Sequence, residues 1–545
     1  MPYVVTQSCC SDASCVYACP VNCIHPTPDE PDFLTADMLY VDPKACVDCG
    51  ACASACPVDA ITSSKKLTDE QIPFIEINAD FYRQARPRPL LAKPVPAAEI
   101  HTERQPLRVA IVGSGPSAMY AADELLTQAR VSVTVFERLP VPYGLARHGV
   151  APDHDKTRQV SELFDVVSAQ PGFGSYLNVE VGKHISHDEL LGHFHAVIYA
   201  VGASSDRKLG IPGEGLAGNV SATDFVAWYN GHPDHAGDTF DLSKRRVVIV
   251  GNGNVALDVA RILTSDPESL AGTDIAPYAL RALRHSKVEE VVILGRRGPA
   301  ESAFTVPEFV GLLGADVDIT IEGELPEPVE GLPYQVEQKL RLLRDVATAR
   351  RSLERVSTAT ARRSLERASA ARKRIVFRYL AAPTEILGTE EVSGIEVARN
   401  ELVTDPDGRT RAVATGETER LDAGLVLTSV GYRGVALPGL PFDDQAAVIP
   451  NLNGRVLRES GGSVLPGSYV TGWIKRGPTG FIGTNKSCAQ ETVQQLADDF
   501  NAGRLPDPRS SAKEFDRLVR NRQPAARATG AAMRPGPIRR LLARA

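Results

Sequence analysis

The sequence predicts an α/β protein: two doubly wound parallel-sheet domains preceded by a small α+β domain. Three observations predict it. Two β-branched runs, Leu107–Val112 and Arg246–Val250, each meet a glycine and open into a helical stretch, the order of strand, turn and helix in a parallel sheet. Nine of the ten cysteines lie within the first 56 residues, and only Cys488 lies elsewhere. Between that head and the first long strand stands Arg86-Pro-Arg-Pro-Leu-Leu-Ala-Lys-Pro-Val-Pro96, whose prolines make a stiff connector rather than a helix or strand. A chain of 545 residues has room for three or four such domains.

The head comes first. In Cys46-x2-Cys49-x2-Cys52-x3-Cys56-Pro57 one loop offers three thiolates to neighbouring corners of an iron–sulfur cube, and the cysteine before proline serves a second cluster, the bacterial ferredoxin run. A degenerate copy precedes it, Cys9-x5-Cys15-x3-Cys19-Pro20, with Ser11 and Asp12 where a middle cysteine would stand. Cross-ligation assigns Cys19, Cys46, Cys49 and Cys52 to a 4Fe-4S cluster, and Cys9, Cys15 and Cys56 to another. Three well-spaced thiolates favour a 3Fe-4S cluster there over a second 4Fe-4S. Cys10 is the alternative to Cys9, which is preferred because two adjacent cysteines reach two corners of one cube poorly; Cys23 reads as a non-ligating neighbour. A zinc site would use paired Cys-x2-Cys with four ligands in all, which two triples ending in Cys-Pro do not fit.

The head also carries the charge asymmetry. Residues 1–80 hold twelve Asp and Glu against three Lys, a net of −9 in a chain whose total is −7. An acidic head on a near-neutral body favours docking on a basic face.

The first strand leads into Gly113-Ser-Gly115-Pro116-Ser117-Ala118 and a helix over 118–126. The first glycine permits the tight turn, the second lets a pyrophosphate approach the backbone, and Ala118 allows close helix packing. The helix N-terminus offers amide donors and a positive dipole end. Glu137 ends the next strand, 24 residues after Gly113, placed for a ribose 2′-hydroxyl. This unit is read as the FAD site. Gly251-Asn252-Gly253-Asn254-Val255-Ala256 repeats the pattern before a helix over 255–263 and is read as the nicotinamide site. Arg296-Arg297 ends the companion strand where a carboxylate would select the free hydroxyl, so the coenzyme is NADP(H).

An internal repeat, Ala349-Arg-Arg-Ser-Leu-Glu-Arg355 and Ala361-Arg-Arg-Ser-Leu-Glu-Arg367, reads as a solvated basic helix, and the tail from Pro524 as frayed or packed late on the body. No apolar run is long enough for a membrane span, and Met1-Pro2-Tyr3 begins no secretory signal, so the expected location is cytoplasmic. The near-neutral body, with no aromatics interleaved in its basic helix, argues against a nucleic-acid partner.

Beyond these units, residues 106 to about 500 resemble the adrenodoxin reductase-like ferredoxin–NADP reductases. The resemblance rests on Pro142-Tyr-Gly144-Leu145-Ala-Arg147-His-Gly-Val150-Ala-Pro-Asp153-His154, on Ala200-Val-Gly-Ala-Ser-Ser-Asp206-Arg207, and on Gly472-Trp473-Ile-Lys-Arg-Gly-Pro-Thr-Gly480-Phe481-Ile482-Gly-Thr-Asn. The head resembles seven-iron bacterial ferredoxins, and the whole chain the FprB-type fusions of the two. The resemblance implies FAD contacts at Glu137, Gly144, Leu145, Trp473, Gly480, Phe481 and Ile482, with Val181 added to the cofactor set. It implies NADP contacts at Arg207, Asn252, Gly253, Asn254, Val255, Arg296, Arg297, Glu308 and Gly480, and an active-site histidine at His154. Where the related reductases place an acidic residue three positions beyond the match to Glu308, this chain has Gly311, which weakens a His–Glu pair.

The domains expected are an iron–sulfur domain over 1–80, a linker over 81–104, an FAD domain over 105–206 resuming at 429–545, and an inserted NADP domain over 207–428. The expected activity is that of a ferredoxin–NADP(+) reductase: hydride passes from NADPH to FAD, then single electrons to the clusters and to an external acceptor such as a separate ferredoxin or a cytochrome P450. The rivals are a reductase with an accessory redox-sensing or docking head, and an NADPH-oxidising subunit of an amidotransferase-like complex. A flavin disulfide reductase is excluded, because the body holds only Cys488.

Overall fold

The computed structural model describes residues 2–530 except 84–88, 90, 94, 104, 324, 328–330, 355–371 and 406–408. The second copy of the arginine-rich repeat and most of the tail lie outside those residues.

Strands buried on both faces become continuous apolar runs, and two such stacks organise the body. The first is an eight-stranded sheet. Its centre is five parallel strands in the order Val464–Val470, Ala196–Tyr199, Leu107–Val112, Val131–Glu137 and Phe173–Leu177. Antiparallel strands close both edges: Asn451–Leu452 and Arg455–Leu457 on one side, Arg527–Gly530 on the other. The second sheet is wholly parallel, in the order Asn219–Ser221, Leu425–Thr428, Arg246–Val250, Glu290–Gly295, Arg374–Tyr379 and Asp318–Glu322. The chain crosses between the sheets twice, and the two crossings pair as a short ribbon, Ser205–Asp206 against Tyr432–Arg433.

Both fingerprint helices begin earlier than the spacing suggests. The first runs Pro116–Leu126, because proline at its first position gives up an amide that the first turn cannot use. The second runs Asn254–Thr264. A three-stranded antiparallel meander, Ala381–Gly388, Val392–Thr404 and Thr410–Asp422, flanks the second sheet. The helix Tyr334–Glu354 ends in the first copy of the arginine-rich repeat.

The head is a pair of small halves. Tyr3–Val5 pairs antiparallel with Ile61–Ser63, and Ile24–His25 with Tyr40–Val41. Its core is continuous with the body: Val306 and Val310 of the second domain pack into it, while Cys10, Val58 and Ala60 pack into the core beneath the first sheet. Buried hydrogen bonds fix the seat, from Val306 N to Asp37 Oδ2 at 2.8 Å and from Gln338 Nε2 to Ile77 O at 3.3 Å. The expected acidic–basic contacts are present, with Arg341 on Asp80 and Glu76, each at 2.9 Å, and Lys486 3.9 Å from Asp12. No helix among the described residues is long and apolar enough to cross a membrane.

Candidate functional site

Each fingerprint contains two glycines with different physical reasons to be glycine. Gly113 has φ +97° and Gly251 φ +109°, conformations costly for other residues; a Cβ would lie 2.5 Å from Ala200 O in the first and 2.1 Å from Ser429 O in the second. These two serve the fold. Gly115 and Gly253 have ordinary extended backbones, φ −72° and −87°. A Cβ on Gly115 would meet nothing within 4 Å, and one on Gly253 only Ala303 Cβ at 4.0 Å. Nothing among the described residues requires them to be glycine. Each sits at a helix N-terminus in open space, which fits a phosphate group laid on the amides.

Around the first cradle the motif residues converge. A Cβ on Gly144 would lie 3.2 Å from Gly115 Cα, and Leu145 starts the short helix Leu145–His148. The Glu137 carboxylate accepts hydrogen bonds from Ser114 N at 3.2 Å, Ser114 Oγ at 2.5 Å and Leu139 N at 2.8 Å, so it braces the glycine turn. Ser117 Oγ donates to Asn485 Oδ1 at 2.8 Å, tying the first helix to the helix Thr484–Asn501 that follows Gly480, Phe481 and Ile482. Trp473 Nε1 donates to Thr479 O at 3.1 Å, and its ring lies against Tyr432, centroids 5.1 Å apart. Arg476 Nη2 donates to Asn485 Oδ1, while its buried Nη1 has no partner among the described residues. Such an orphaned cationic donor fits an anionic or carbonyl group of a bound flavin nucleotide. Val181 is buried in the cluster with Tyr199 and bridges to Ile185.

Around the second cradle, Asn254 Oδ1 accepts from Thr305 N at 2.8 Å, and Asn252 Oδ1 from Ala303 N at 3.3 Å. Val255 packs on the core below. Arg296 and Arg297 are exposed at the end of Glu290–Gly295, and their backbone is pinned by Asn400 Nδ2 to Arg296 O at 2.8 Å and Leu380 N to Arg297 O at 3.0 Å. Arg207 is exposed where the crossing ribbon begins, its N–H donating to Gly431 O. Arg296 and Arg297, presented side by side at the strand end, fit a 2′-phosphate better than a free hydroxyl.

His154 lies in an ionic knot around the buried Arg261, whose members come from distant parts of the chain. Arg261 donates to both Asp153 oxygens at 2.7 and 3.0 Å, to Asp258 Oδ1 at 2.6 Å and to Glu308 Oε1 at 3.0 Å. Its Nη2 is 2.8 Å from His154 Nε2, which lies 3.6 Å from Glu308 and 3.8 Å from Asp258. The three acidic and imidazole groups could outline a cation site, but the guanidinium already supplies the cation. Burial pulls His154 below the usual imidazole range, against Asp258. Burial, reinforced by Asp258, holds the Glu308 carboxyl well above its usual range. The weakening of a His–Glu pair expected from Gly311 is therefore offset: Glu308 itself reaches His154. A Cβ on Gly311 would lie 2.0 Å from Gln7 Nε2, so the head's glutamine occupies the space beside that glycine.

In the head, the thiols fall into two neighbourhoods. Cys9 and Cys15 share one with Cys56 and Asp12, and Cys52 shares the other with Cys46, Cys19 and Cys49. Burial raises the Cys9 thiol to about 11 and Cys15 well above its usual value, with Cys56 and Asp12 pushing the same way. Such sulfurs become thiolates when a metal displaces the proton, which is what a cluster site needs. Cys23 Sγ lies 3.4 Å from Cys19 Sγ, and Cys10 turns into the core beneath the first sheet.

Residues 107–269 match the pyridine nucleotide-disulphide oxidoreductase family, and residues 39–62 the 4Fe-4S binding domain family. A Mycobacterium bovis protein described as a probable ferredoxin/ferredoxin–NADP reductase is 55% identical over 533 residues, covering 96% of this chain and 88% of that one. The NADPH-ferredoxin reductase FprA of Mycobacterium tuberculosis is 48% identical over 404 residues, 72% of this chain and 84% of its own. The solved structure of Mycobacterium tuberculosis FprA in complex with NADPH superimposes with a TM-score of 0.68 at 44% identity, covering 78% of this chain and 92% of that chain. The disulphide chemistry in the first family's description has no second thiol in the body, where Cys488 is buried and accepts from Gly472 N at 3.3 Å. Two glycine-cradled helix N-termini, a cysteine-rich head and near-full-length similarity lead to one conclusion: the chain belongs to the ferredoxin/ferredoxin–NADP reductase family.

Proposed function

We propose that the chain takes hydride from NADPH onto FAD and delivers single electrons, through two iron–sulfur clusters, to an external acceptor. The observation that carries this reading is the pair Gly115 and Gly253, glycines at two helix N-termini with no need in the fold. FAD supplies the exchange between two-electron and one-electron chemistry, and the protein binds and orients it. Gly113, Gly115, Pro116, Ser117 and Ala118 form its phosphate cradle; Glu137, Gly144, Leu145, Val181, Trp473, Gly480, Phe481 and Ile482 complete the flavin set. Asn252 to Val255, Arg207, Arg296, Arg297, Glu308 and Gly480 serve NADP. His154 is the active-site histidine of this reading: burial keeps it neutral, and Arg261 Nη2 donates to its Nε2 and fixes its orientation, which leaves the ring proton on Nδ1.

Cys19, Cys46, Cys49 and Cys52 hold a 4Fe-4S cluster. Cys9, Cys15 and Cys56 hold a 3Fe-4S cluster, a reading supported by Asp12 standing where a fourth thiolate is missing. The domain boundaries of this reading are 1–80, 81–104, 105–206, 207–428 and 429–545. A separate ferredoxin or a cytochrome P450 would accept the electrons, in a cytoplasm that keeps the thiols reduced.

Anaerobic stopped-flow with NADPH, paired with freeze-quench EPR, tests the relay. The expected result is flavin bleaching followed by cluster reduction on the catalytic timescale. Clusters that stay oxidised through turnover would make the head an accessory module and sink the proposal.

A further inference from the structure

The two cysteine loops of the head are copies of one another at an offset of 37 residues. Cys9 corresponds to Cys46, Asp12 to Cys49, Cys15 to Cys52 and Cys19 to Cys56. The backbone repeats with the sequence: φ is 59° at both Ser11 and Asp48, 62° at Ala13 and 78° at Gly50, 45° at Asn22 and 46° at Asp59. Each loop feeds a five-residue helix, Ser14–Ala18 or Ala51–Ala55, that ends at an extended cysteine. This register places Cys9, and not Cys10, at the position of Cys46.

The copies differ in what covers them. Cys10, Ser11, Asp12 and Ala13 are 4, 2, 8 and 1% exposed. Their counterparts Val47, Asp48 and Cys49 are exposed, Val47 at 58%. The covered loop lies backbone to backbone on the turn after Ile482: Gly483 N donates to Cys10 O at 2.7 Å, and a Cβ on Gly483 would lie 2.2 Å from Asp12 N. Lys486 Nζ donates to Ser14 Oγ at 3.1 Å. The opposite loop opens to solvent.

We infer that the two loops are the head's two ports: the Cys9–Ala13 loop is its contact with the flavin domain, and the Cys46–Gly50 loop is the face on which a one-electron acceptor protein with a basic surface docks. This rests on the relay proposed above. The partner's charge follows from the head's net of −9 and from Asp48 on the loop itself, while Asp12, Glu76 and Asp80 are turned to Lys486 and Arg341 of the body. The balance is one NADPH giving two electrons and leaving as NADP+ with release of one proton, and two acceptor molecules each gaining one electron at the Cys46–Gly50 face.

The test uses the full-length protein loaded with FAD and clusters, with cytochrome c as the basic acceptor probe. Calorimetry at low salt with the cytochrome c already reduced should show binding to the dithionite-reduced protein, weakened about tenfold by Asp48→Lys and lost at high ionic strength. In wild-type protein, a soluble dysprosium chelate should speed the spin relaxation of the signal belonging to the Cys19, Cys46, Cys49 and Cys52 set far more than that of the Cys9, Cys15 and Cys56 set. Equal effects on both signals, or binding indifferent to Asp48→Lys, overturn the assignment of ports. Both readouts use dithionite-reduced or resting protein, so failure of NADPH to reduce the clusters would remove the relay and leave the ports separately judged.

Discussion

Arg261 gathers Asp153, Asp258, Glu308 and His154 around one guanidinium that is 6% exposed. Removing it leaves Glu308 buried, and Asp153 and Asp258 half-buried, without their cation. Arg261→Leu is expected to cost about 3–5 kcal/mol of stability, read as a lower urea midpoint. At the coenzyme end the charges are exposed instead. Arg296→Ala combined with Arg297→Ala should raise the KM for NADPH by roughly tenfold or more and leave that for NADH nearly unchanged, because only the phosphate loses its partners. His148 adds a pH dependence. Burial depresses it to about 4, with His232, Arg147 and Arg158 adding to the effect against the hydrogen bond to Asn230 O. The unfolded chain takes a proton near pH 6.5 and the folded chain does not until about 4, so the contribution is whole above 6.5 and lost as pH falls through that window. His148→Gln should flatten the slope of urea midpoint against pH there; His154, His187 and His195 are depressed the same way, so part of it remains. Of these residues the sequence singled out His154 and Glu308, through the resemblance, and the arginine pair, through its place at a strand end. Arg261 was silent, because it meets Asp153 across 108 positions and reads locally as one more charge on a helix.

At the scale of elements, the two strand–glycine–helix units separate structural from ligand-facing glycine. Gly113→Ala and Gly251→Ala force a Cβ against a carbonyl in a left-handed backbone and should destabilise the protein in thermal melts. Gly253→Val should fold and retain flavin absorbance, yet lose NADPH affinity by at least about tenfold in titrations, and Gly115→Val should fold with FAD weakly held. These units were legible because each is contiguous and its strand is apolar but for one arginine, Arg108 or Arg246. The meander of Ala381–Gly388, Val392–Thr404 and Thr410–Asp422 was not. Its last strand is exposed along nearly its whole length, so alternation of apolar and polar residues, the usual mark of a half-buried strand, is missing.

For the whole molecule, the head is seated by shared cores as well as by ion pairs. Val306 and Val310 enter its interior, and Tyr40, Phe81 and Tyr334 meet across the seam with ring centroids 4.5 to 5.7 Å apart. Apolar seats resist salt. A protease site placed between Arg83 and Pro89 and cut should leave head and body co-eluting in gel filtration at high ionic strength; separation on cutting would show that the linker alone holds them. The sequence foretold a basic landing surface for the acidic head, and Arg341 and Lys486 provide it. It did not foretell Val306, whose burial depends on a partner more than two hundred residues away.

The strand Arg527–Gly530 has a further role. It runs along the outer side of Phe173–Leu177, pairing Thr529 with Ser175 and Ala528 with Tyr176. Without it, the rim of a large parallel sheet would present a row of unsatisfied amides and carbonyls to any passing chain, a template for sticking copies together. This short segment contains none of the residues assigned to a cofactor, yet it makes the protein's resistance to clumping depend on a stretch that enzymology alone would never flag.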